Sequence, residues 1–274
     1  MSLVLAGCGG SSGTDSPDTS VATSTIAPSP SLSGAGDVVS GQFDVGGKKI
    51  FAECKGSGSP TVLMESGDEG DHYQWVVIAQ EIAQHTRTCV YDRLGTGKSE
   101  DPTGCRQLAD LRGDLEAVLT EVGEDGPYVL VGTSGGGFLM AGFAYEHPAD
   151  VQGIVLLETP HAIVPEQVPP SLLEQIKCDN PTNVERRDYV SVENEAWSNR
   201  REIGDIPMTV VTNDYLGQGE NEEERTNVEG QQGWLVLSPQ AQQILVTSGH
   251  NVPANEPKLA MAEILKVVEA ARAG

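Results

Sequence analysis

Ser134 lies in the stretch Gly132-Thr133-Ser134-Gly135-Gly136, a G-x-S-x-G pattern that directly follows the apolar run 128–131. A serine between a strand and a helix in this pattern is typical of a nucleophile elbow, in which a strained turn projects the hydroxyl outward. Glycines flank it because a Cβ there would meet neighbouring backbone. The helix that follows would offer the backbone N–H of Gly135 and its positive end to a developing oxyanion. The alternative is a glycine-rich turn after a core strand.

A serine hydroxyl needs a base to remove its proton, and His250 is the best placed candidate. It lies in Ser248-Gly249-His250-Asn251, after the strand-like run 243–247 and before a helical pattern that starts at Glu256. Catalytic groups gather in loops that leave the ends of parallel strands. The remaining histidines lie in positions more typical of surface or capping residues: His72, His85, His147 and His161.

Alternating strand and helix patterns would position these two groups. Strands that alternate with helices predict a mostly parallel sheet covered by helices on both faces, because parallel neighbours need crossover connections. The first two strands form an antiparallel edge, and a proline-rich insertion at about 160–205, with a helical stretch at 184–201, forms a small cap. We expect strands at 41–46, 49–55, 61–66, 87–91, 128–132, 152–157, 208–212 and 243–247, and helices at 74–85, 106–122, 135–146, 222–235 and 257–271.

Length and charge narrow the class of protein. The chain has 274 residues, enough for one α/β domain at 37–274 with a large core. Its net charge is −23, and its 17 lysines and arginines are scattered, which makes nucleic-acid binding improbable. We expect a small-molecule substrate and a monomer.

Ordered motifs over roughly residues 40–274 resemble the α/β-hydrolase fold superfamily. Besides the elbow and the Gly249-His250 turn, they are the strand and turn Ser57–Gly67, the loop Tyr91-Asp92-Arg93-Leu94-Gly95-Thr96-Gly97-Lys98-Ser99, and Glu146-His147-Pro148 with the run 151–158. The resemblance implies an α/β-hydrolase fold with an eight-stranded sheet and a cap after strand six. It also implies that Asp92 and Arg93 form a structural loop, in which the Arg93 guanidinium can bond exposed carbonyls.

The resemblance places the acid of the catalytic triad after strand six or strand seven, and the chain offers a carboxylate at each position. Glu158 ends the apolar run 154–157, and Asp214 follows the probable seventh strand. We favour Glu158 and keep Asp214 as the alternative, with Glu220 and Glu222 as further candidates.

The same resemblance places the oxyanion hole at two backbone N–H groups, those of Gly135 and Asp68. Asp68 follows Ser66-Gly67, where the superfamily usually has a His-Gly pair, and its loop carries three acids. We expect these acidic side chains to face solvent, because a negative field beside the oxyanion would oppose catalysis.

The implied activity is hydrolysis of carboxylic esters through an acyl-enzyme on Ser134, without a cofactor. Ser134 at the elbow argues against dehalogenase and epoxide hydrolase activity, which use an aspartate nucleophile. The alternatives are other chemistry of a Ser-His-acid triad, namely amidase, peptidase, C–C hydrolase or cofactor-free peroxidase activity, and a surface-displayed binding protein without catalysis.

The N-terminus resembles that of bacterial lipoproteins. Leu5-Ala6-Gly7-Cys8 matches a lipobox, with Cys8 as the lipidated residue, and residues 1–8 would be the remnant of a signal. Residues 9–36 are rich in Ser, Thr, Gly and Pro and predict a disordered tether. We expect a protein on the outer face of the cytoplasmic membrane or a secreted one, with a cytoplasmic protein as the alternative.

Four further cysteines, an even number, suit an oxidising compartment. The fold topology implied by the resemblance places Cys54 next to Cys89, and we expect a second disulfide between Cys105 and Cys178 in the insertion. No C-x-x-C or His-Cys cluster occurs in the sequence, and we expect no metal site.

Overall fold

A single mixed sheet organises the chain in the computed structural model, which describes residues 38–214 and 222–274. Cys8 with the rest of residues 1–37, and Glu220, lie outside these ranges, as does the side chain of Glu222. The strands are β1 (Val39–Val45), β2 (Lys48–Lys55), β3 (Thr61–Glu65), β4 (Thr88–Tyr91), β5 (Tyr128–Thr133), β6 (Val151–Leu157), β7 (Met208–Asn213) and β8 (Ala241–Val246).

The strands are arranged in the order β1-β2-β4-β3-β5-β6-β7-β8. β1 with β2 and β2 with β4 are antiparallel, and all the other neighbours are parallel. The expected eight-stranded, mostly parallel sheet with an antiparallel edge is therefore confirmed.

Helices connect the parallel strands and cover the sheet. They are α1 (Val76–Ile82), α2 (Leu108–Val122), α3 (Gly136–Glu146), α4 (Pro170–Gln175), α5 (Tyr189–Ser198), α6 (Glu222–Gln231), α7 (Val252–Asn255) and α8 (Pro257–Ala273). Short 3-10 helices lie at His72–Trp75, Pro165–Gln167 and Gln232–Leu237.

The core consists of two apolar layers, one on each face of the sheet. Successive side chains of a strand point to opposite faces, so Leu130 of β5 packs in one layer while Val129 and Val131 pack in the other. Side chains from α2 and α3 fill the first layer, and those from α1 and α8 fill the second. Every residue of β5 is buried, which explains its continuous apolar run and fixes the strand that leads into Ser134.

The segment between β6 and β7 interrupts the alternation of strands and helices, as expected for the cap. Its main helix, α5, is shorter than the predicted helical stretch 184–201. The preceding residues pair with another segment instead, because Arg106 N donates to Arg186 O (2.8 Å) and Asp188 N donates to Arg106 O (3.0 Å). The Asp188 side chain then accepts from Ser191 N at 3.1 Å and caps α5. We call residues 160–205 the cap segment.

Both expected disulfides are present in the structure. Cys54 and Cys89 face each other across the antiparallel pair β2 and β4, with their Cα atoms 4.1 Å apart. Cys105 and Cys178, 73 residues apart in sequence, join the loop before α2 to the cap segment. Such bonds are typical of an oxidising compartment. In residues 38–214 and 222–274, no helix combines the length and the apolar character needed to cross a bilayer.

Candidate active site

The turn between β5 and α3 gives Ser134 a strained backbone. Its φ angle is +49°, in the left-handed region that residues other than glycine rarely adopt. Flanking glycines permit this turn: a Cβ on residue 132 would lie 2.7 Å from the Cα of Gly137, and one on residue 136 would lie 2.3 Å from the carbonyl oxygen of Ser66. The Ser134 side chain therefore stands at the carboxyl end of the central strand, as the elbow pattern predicts.

His250 lies next to Ser134 in space, although 116 residues separate them in sequence. Its Nε2 atom is 2.9 Å from Ser134 Oγ, and its Nδ1 atom is 3.3 Å from Glu158 Oε2. Ser134, Glu158 and His250 follow β5, β6 and β8, whose carboxyl ends share one edge of the sheet. The structure thus brings together the nucleophile, base and favoured acid that the sequence singled out.

Glu158 is held by two further donors. Its side chain is only 1% exposed, and Oε1 accepts from Asn213 N (2.5 Å) and from Gln231 Nε2 (3.1 Å). These bonds leave Oε2 directed at the imidazole, which fixes the ring orientation and favours a proton on Nδ1. The alternative acid, Asp214, follows β7, where its N–H donates to the carbonyl of Val246.

Asn213 is a positioning residue that the sequence analysis did not single out. Its backbone N–H binds Glu158, while its Oδ1 accepts from Ser248 N (2.7 Å) and Gly249 N (2.6 Å). One residue at the end of β7 therefore joins the acid to the loop that carries His250. The sequence signal for this role was a polar residue at the end of a parallel strand. That signal does not identify the partners of Asn213, because they come from two distant segments.

The hydrogen bond that His250 donates to Glu158 raises the pKa of His250 above its usual value. Burial opposes this shift, and the negative charges of Glu158 and Asp68 add to it. An imidazole of higher pKa is a stronger base, but it is protonated over a wider range of pH. The His250 side chain remains 58% exposed, so a substrate can reach it.

The predicted oxyanion hole needs two backbone N–H groups that can donate to a substrate. Gly67 N donates to Gln74 Oε1 at 3.1 Å, whereas the N–H groups of Asp68 and Gly135 make no hydrogen bond among the described residues. Gly135 precedes the first turn of α3, whose positive end adds to the field there.

In the loop 67–71, Asp68 has the exposed side chain that was expected, but the cap segment also engages it. Its Oδ1 accepts from Arg187 Nη1 at 2.7 Å and lies 1.8 Å from the position that a Cβ on residue 135 would occupy. Arg187, on the cap segment, also donates from Nη2 to Gly135 O at 3.1 Å, and its side chain is 1% exposed. A buried cation thus neutralises the carboxylate that would otherwise oppose an oxyanion.

Arg93 holds the other side of this loop, in line with the structural role expected of it. It donates to Ser66 O (2.8 Å) and Gly67 O (2.7 Å), and it forms ion pairs with Glu65 and with Glu185 of the cap segment. All three charged side chains are buried. Because Arg93 binds the carbonyls of residues 66 and 67, it fixes the orientation of the two peptide planes that contain them.

The neighbour of Arg93, Asp92, is equally structural. Its carboxylate accepts from the backbone N–H groups of His72 (2.7 Å) and Lys98 (2.8 Å) and from His72 Nδ1. These contacts tie the loop after β4 to the 3-10 helix at His72–Trp75. That helix follows residues 67–71, which we call the oxyanion loop. Neither Asp92 nor Arg93 touches Ser134 or His250 through a hydrogen bond among the described residues.

A cavity of about 300 Å³ opens over the triad. It is lined by Gly67, Asp68, Gln74, Thr133, Ser134, His250 and Asn251. One group of described residues has the spacing of metal ligands, Cys54 with Cys89 and Glu124, but its two cysteines are joined in a disulfide and have no thiolate to offer.

Comparison with known proteins supports the fold. Residues 60–191 match the family described as alpha/beta hydrolase fold. A thermophilic esterase from Thermogutta terrifontis has a similar structure, with 17% identity and a TM-score of 0.64 over 86% of this chain and 99% of that chain. An enol-lactonase from Burkholderia xenovorans LB400 has 13% identity and a TM-score of 0.65 over 84% of this chain and 100% of that one. The chain therefore has the α/β-hydrolase fold.

Two of the curated relatives are described as uncharacterized proteins. Uncharacterized protein YqjL of Bacillus subtilis is 24% identical over 78% of this chain and 85% of its own length. An uncharacterized protein of Schizosaccharomyces pombe is 30% identical over 40% of this chain, and the match covers only 26% of that longer protein.

Proposed function

We propose that this protein hydrolyses carboxylic esters through an acyl-enzyme, with Ser134 as nucleophile, His250 as base and Glu158 as the acid of the triad. The observation that carries the proposal is the hydrogen-bonded chain from Ser134 Oγ through His250 to Glu158 at the floor of an accessible cavity. The similarity to an esterase and to an enol-lactonase supports ester chemistry.

The first half of the reaction acylates Ser134. His250 Nε2 takes the hydroxyl proton as Oγ attacks the carbonyl carbon, and the carbonyl electron pair moves onto oxygen. The N–H groups of Gly135 and Asp68 donate to this oxyanion. When the intermediate collapses, the bond to the alcohol oxygen breaks, and His250 gives its proton to that oxygen.

The second half releases the acid. His250 deprotonates a water molecule, whose oxygen attacks the acyl carbon, and the proton returns to Ser134 Oγ as the carboxylic acid leaves. Glu158 stays ionised throughout and stabilises the imidazolium that forms twice in each cycle.

Other reactions of a Ser-His-acid triad are the alternatives: amidase, peptidase, C–C hydrolase and cofactor-free peroxidase chemistry. An ester is the least demanding substrate for this arrangement, because an alcohol leaves more readily than an amine or a carbon group. The non-catalytic binding protein is disfavoured, since binding alone needs no hydrogen bond between a strained serine and a histidine.

A panel of p-nitrophenyl esters from acetate to laurate, with p-nitroanilides of the same acyl groups, tests the proposal. We expect ester turnover that a fluorophosphonate stops by labelling Ser134, with mass spectrometry of the labelled peptide as the readout. Faster turnover of the anilides would assign amidase activity instead. Labelling at another serine would refute the mechanism.

Arg187 is expected to act as a positioning residue for the oxyanion hole. Arg187→Lys keeps the charge but cannot bridge both Asp68 and Gly135, so the two N–H groups lose their common orientation. We expect kcat to fall by about 10- to 100-fold with KM within about threefold. Affinity for an alkyl trifluoromethyl ketone should fall in parallel, which a general loss of folding would not produce.

The matched control is Arg186→Lys, because Arg186 is the exposed neighbour on the same segment. It should leave kcat and inhibitor affinity unchanged. Equal losses in both variants would contradict the role of Arg187.

We also propose export as a lipoprotein, with the lipid on Cys8 and the hydrolase domain on the outer face of the membrane. The two disulfides support an oxidising compartment. Mass spectrometry of protein extracted from membranes is expected to find a diacylglyceryl Cys8 as the first residue. A protein that still begins with Met1 and carries an unmodified Cys8 would contradict this proposal.

A further inference from the structure

A second cavity, of about 430 Å³, lies between the oxyanion loop and the cap segment. It shares one lining residue, Asp68, with the cavity over the triad. The lining residues are Asp68, Glu69, Ile163, Leu172, Gln175, Ile176, Thr182, Asn183, Tyr189 and Glu193.

The polar part of this lining consists largely of hydrogen-bond acceptors. Three carboxyl groups face the cavity, those of Asp68, Glu69 and Glu193, and no lysine or arginine is among the lining residues. The nearby Arg187 is buried behind them, with its terminal nitrogens engaged by Asp68 and Gly135. Asp68 is thus paired with a cation, while the exposed carboxylate of Glu69 and, once ionised, that of Glu193 supply the negative charge of the lining.

Asn183 gives an independent indication of what this cavity binds. The residue is 4% exposed, and its Nδ2 donates to the carbonyls of Lys177 (3.1 Å) and Arg187 (2.8 Å). Its Oδ1 is buried and has no hydrogen-bond partner in the described part of the chain. A buried acceptor without a partner is costly, and a ligand with N–H donors would satisfy it.

Apolar side chains form the rest of the wall. Ile163, Leu172, Ile176 and Tyr189 line the cavity together with the acceptors. This combination suits an alkyl chain that ends in a donor-bearing cation.

The position of His250 decides which part of an ester enters this cavity. His250 protonates the leaving oxygen, so the alcohol group lies on the side of His250. On that side, the neighbouring Asn251 lines a different groove of about 490 Å³, together with Tyr73, Val77 and Pro253. The cavity under the cap segment shares Asp68 with the cavity over the triad, but neither His250 nor Asn251 lines it, and we therefore assign it to the acyl group.

We infer that the cavity under the cap segment is an acyl subsite for acyl chains that end in an alkylammonium group. Esters of amino-substituted fatty acids are the corresponding class of substrate. This inference rests on the proposed ester hydrolysis, and it assigns Glu193, Glu69 and Asn183 to substrate recognition.

Glu193 makes the preference depend on pH. Burial raises the pKa of Glu193 to about 8, with Asp68 adding to the rise, while Arg187 and the N–H of Ile163 oppose it. The carboxyl group is therefore mostly neutral near pH 6.5 and ionised near pH 9. An alkylammonium group, with a pKa of about 10.4, stays charged over this range. Attraction between the two should grow as pH rises.

Two p-nitrophenyl esters of equal length measure this effect: the 6-aminohexanoate, which ends in ammonium, and the heptanoate, which ends in methyl. We expect the ratio of their kcat/KM values to rise with pH and to reach about tenfold in favour of ammonium near pH 9. Titration of His250 affects both substrates and cancels in the ratio. A constant ratio, a preference for methyl, or a preference for the mono-p-nitrophenyl ester of adipic acid would overturn the inference.

Variants identify the side chains that produce the preference for the ammonium ester. Glu193→Gln should flatten the rise of the ratio with pH, and the exposed Glu69→Gln should lower the ratio at every pH. Glu166→Gln, which changes an exposed carboxylate elsewhere on the cap segment, should change neither. An unchanged ratio in both Glu193→Gln and Glu69→Gln would overturn the assignment.

A binding measurement separates failure of the subsite from failure of ester hydrolysis. Hexylammonium and hexanol are titrated calorimetrically into Ser134→Ala protein at pH 9, with and without Glu193→Gln. We expect hexylammonium to bind more tightly than hexanol and to lose about tenfold in affinity in the double variant. This result would support the subsite even if no ester were hydrolysed, whereas equal binding of the two ligands would refute it.

Discussion

Replacing Ser134 by alanine is expected to lower kcat/KM for ester hydrolysis by about 10⁴-fold or more. The covalent intermediate forms on Oγ, and the remaining oxyanion donors can support only slow attack by water. The Ser134 side chain bonds to His250 alone among the described residues, so its loss should leave the melting temperature within about 2 °C of the parent protein.

Steady-state kinetics on the p-nitrophenyl ester panel, with thermal melting of each protein, provide the measurement. Ser171→Ala, at an exposed serine of the cap segment, is the matched control and should retain full turnover and fluorophosphonate labelling. Full activity in Ser134→Ala, at an unchanged melting temperature, would end the proposal of an acyl-enzyme on this residue.

The second large effect is expected at the acid of the triad. Glu158→Gln preserves the volume of the side chain but can present an amide N–H to His250 Nδ1, which favours the wrong tautomer. We expect a loss of about 10³- to 10⁴-fold in kcat. Asp214→Asn, at the alternative position, should lose no more than about threefold. Comparable losses in the two variants, at matched folded fractions, would contradict the assignment of Glu158.

The pH profile of the same pair gives a second readout. Because only neutral imidazole can accept the Ser134 proton, kcat/KM should fall as pH decreases through the pKa of His250. The hydrogen bond to Glu158 raises this pKa, so the acid limb of the wild-type profile should lie above the ordinary histidine value of about 6.5. The limb should move to lower pH in Glu158→Gln, and an unmoved limb would show that Glu158 does not act through His250.

Local sequence patterns were sufficient to predict most of the sheet and the position of the nucleophile. The run before Ser134 is apolar at every position because helices cover both faces of β5, and the glycines at 132 and 136 are required by close backbone contacts. These constraints act within a few residues of each other, so they are readable without knowledge of the tertiary structure. The carboxylate after β6 followed from the superfamily resemblance.

Contacts between distant segments were not predictable in the same way. Arg187 meets Asp68 across 119 residues of sequence, and Gln231 meets Glu158 across 73. Nothing in the composition near Asp68 indicates a buried guanidinium, so the ion pair with Arg187 was not expected. The helix α5 was also predicted too long, because residues 186–188 bond to Arg106 rather than to the following turn.

The disulfide between Cys105 and Cys178 makes substrate preference sensitive to thiol chemistry. Ser134, His250 and Glu158 are carried by the ends of strands, whereas Arg187, Asn183 and Glu193 belong to the segment that this bond secures. Reductants would therefore act on selectivity and oxyanion geometry before they act on the triad. Enzyme produced in a reducing bacterial cytosol would give a misleading substrate profile, and expression in a periplasm is the appropriate source of protein for kinetics.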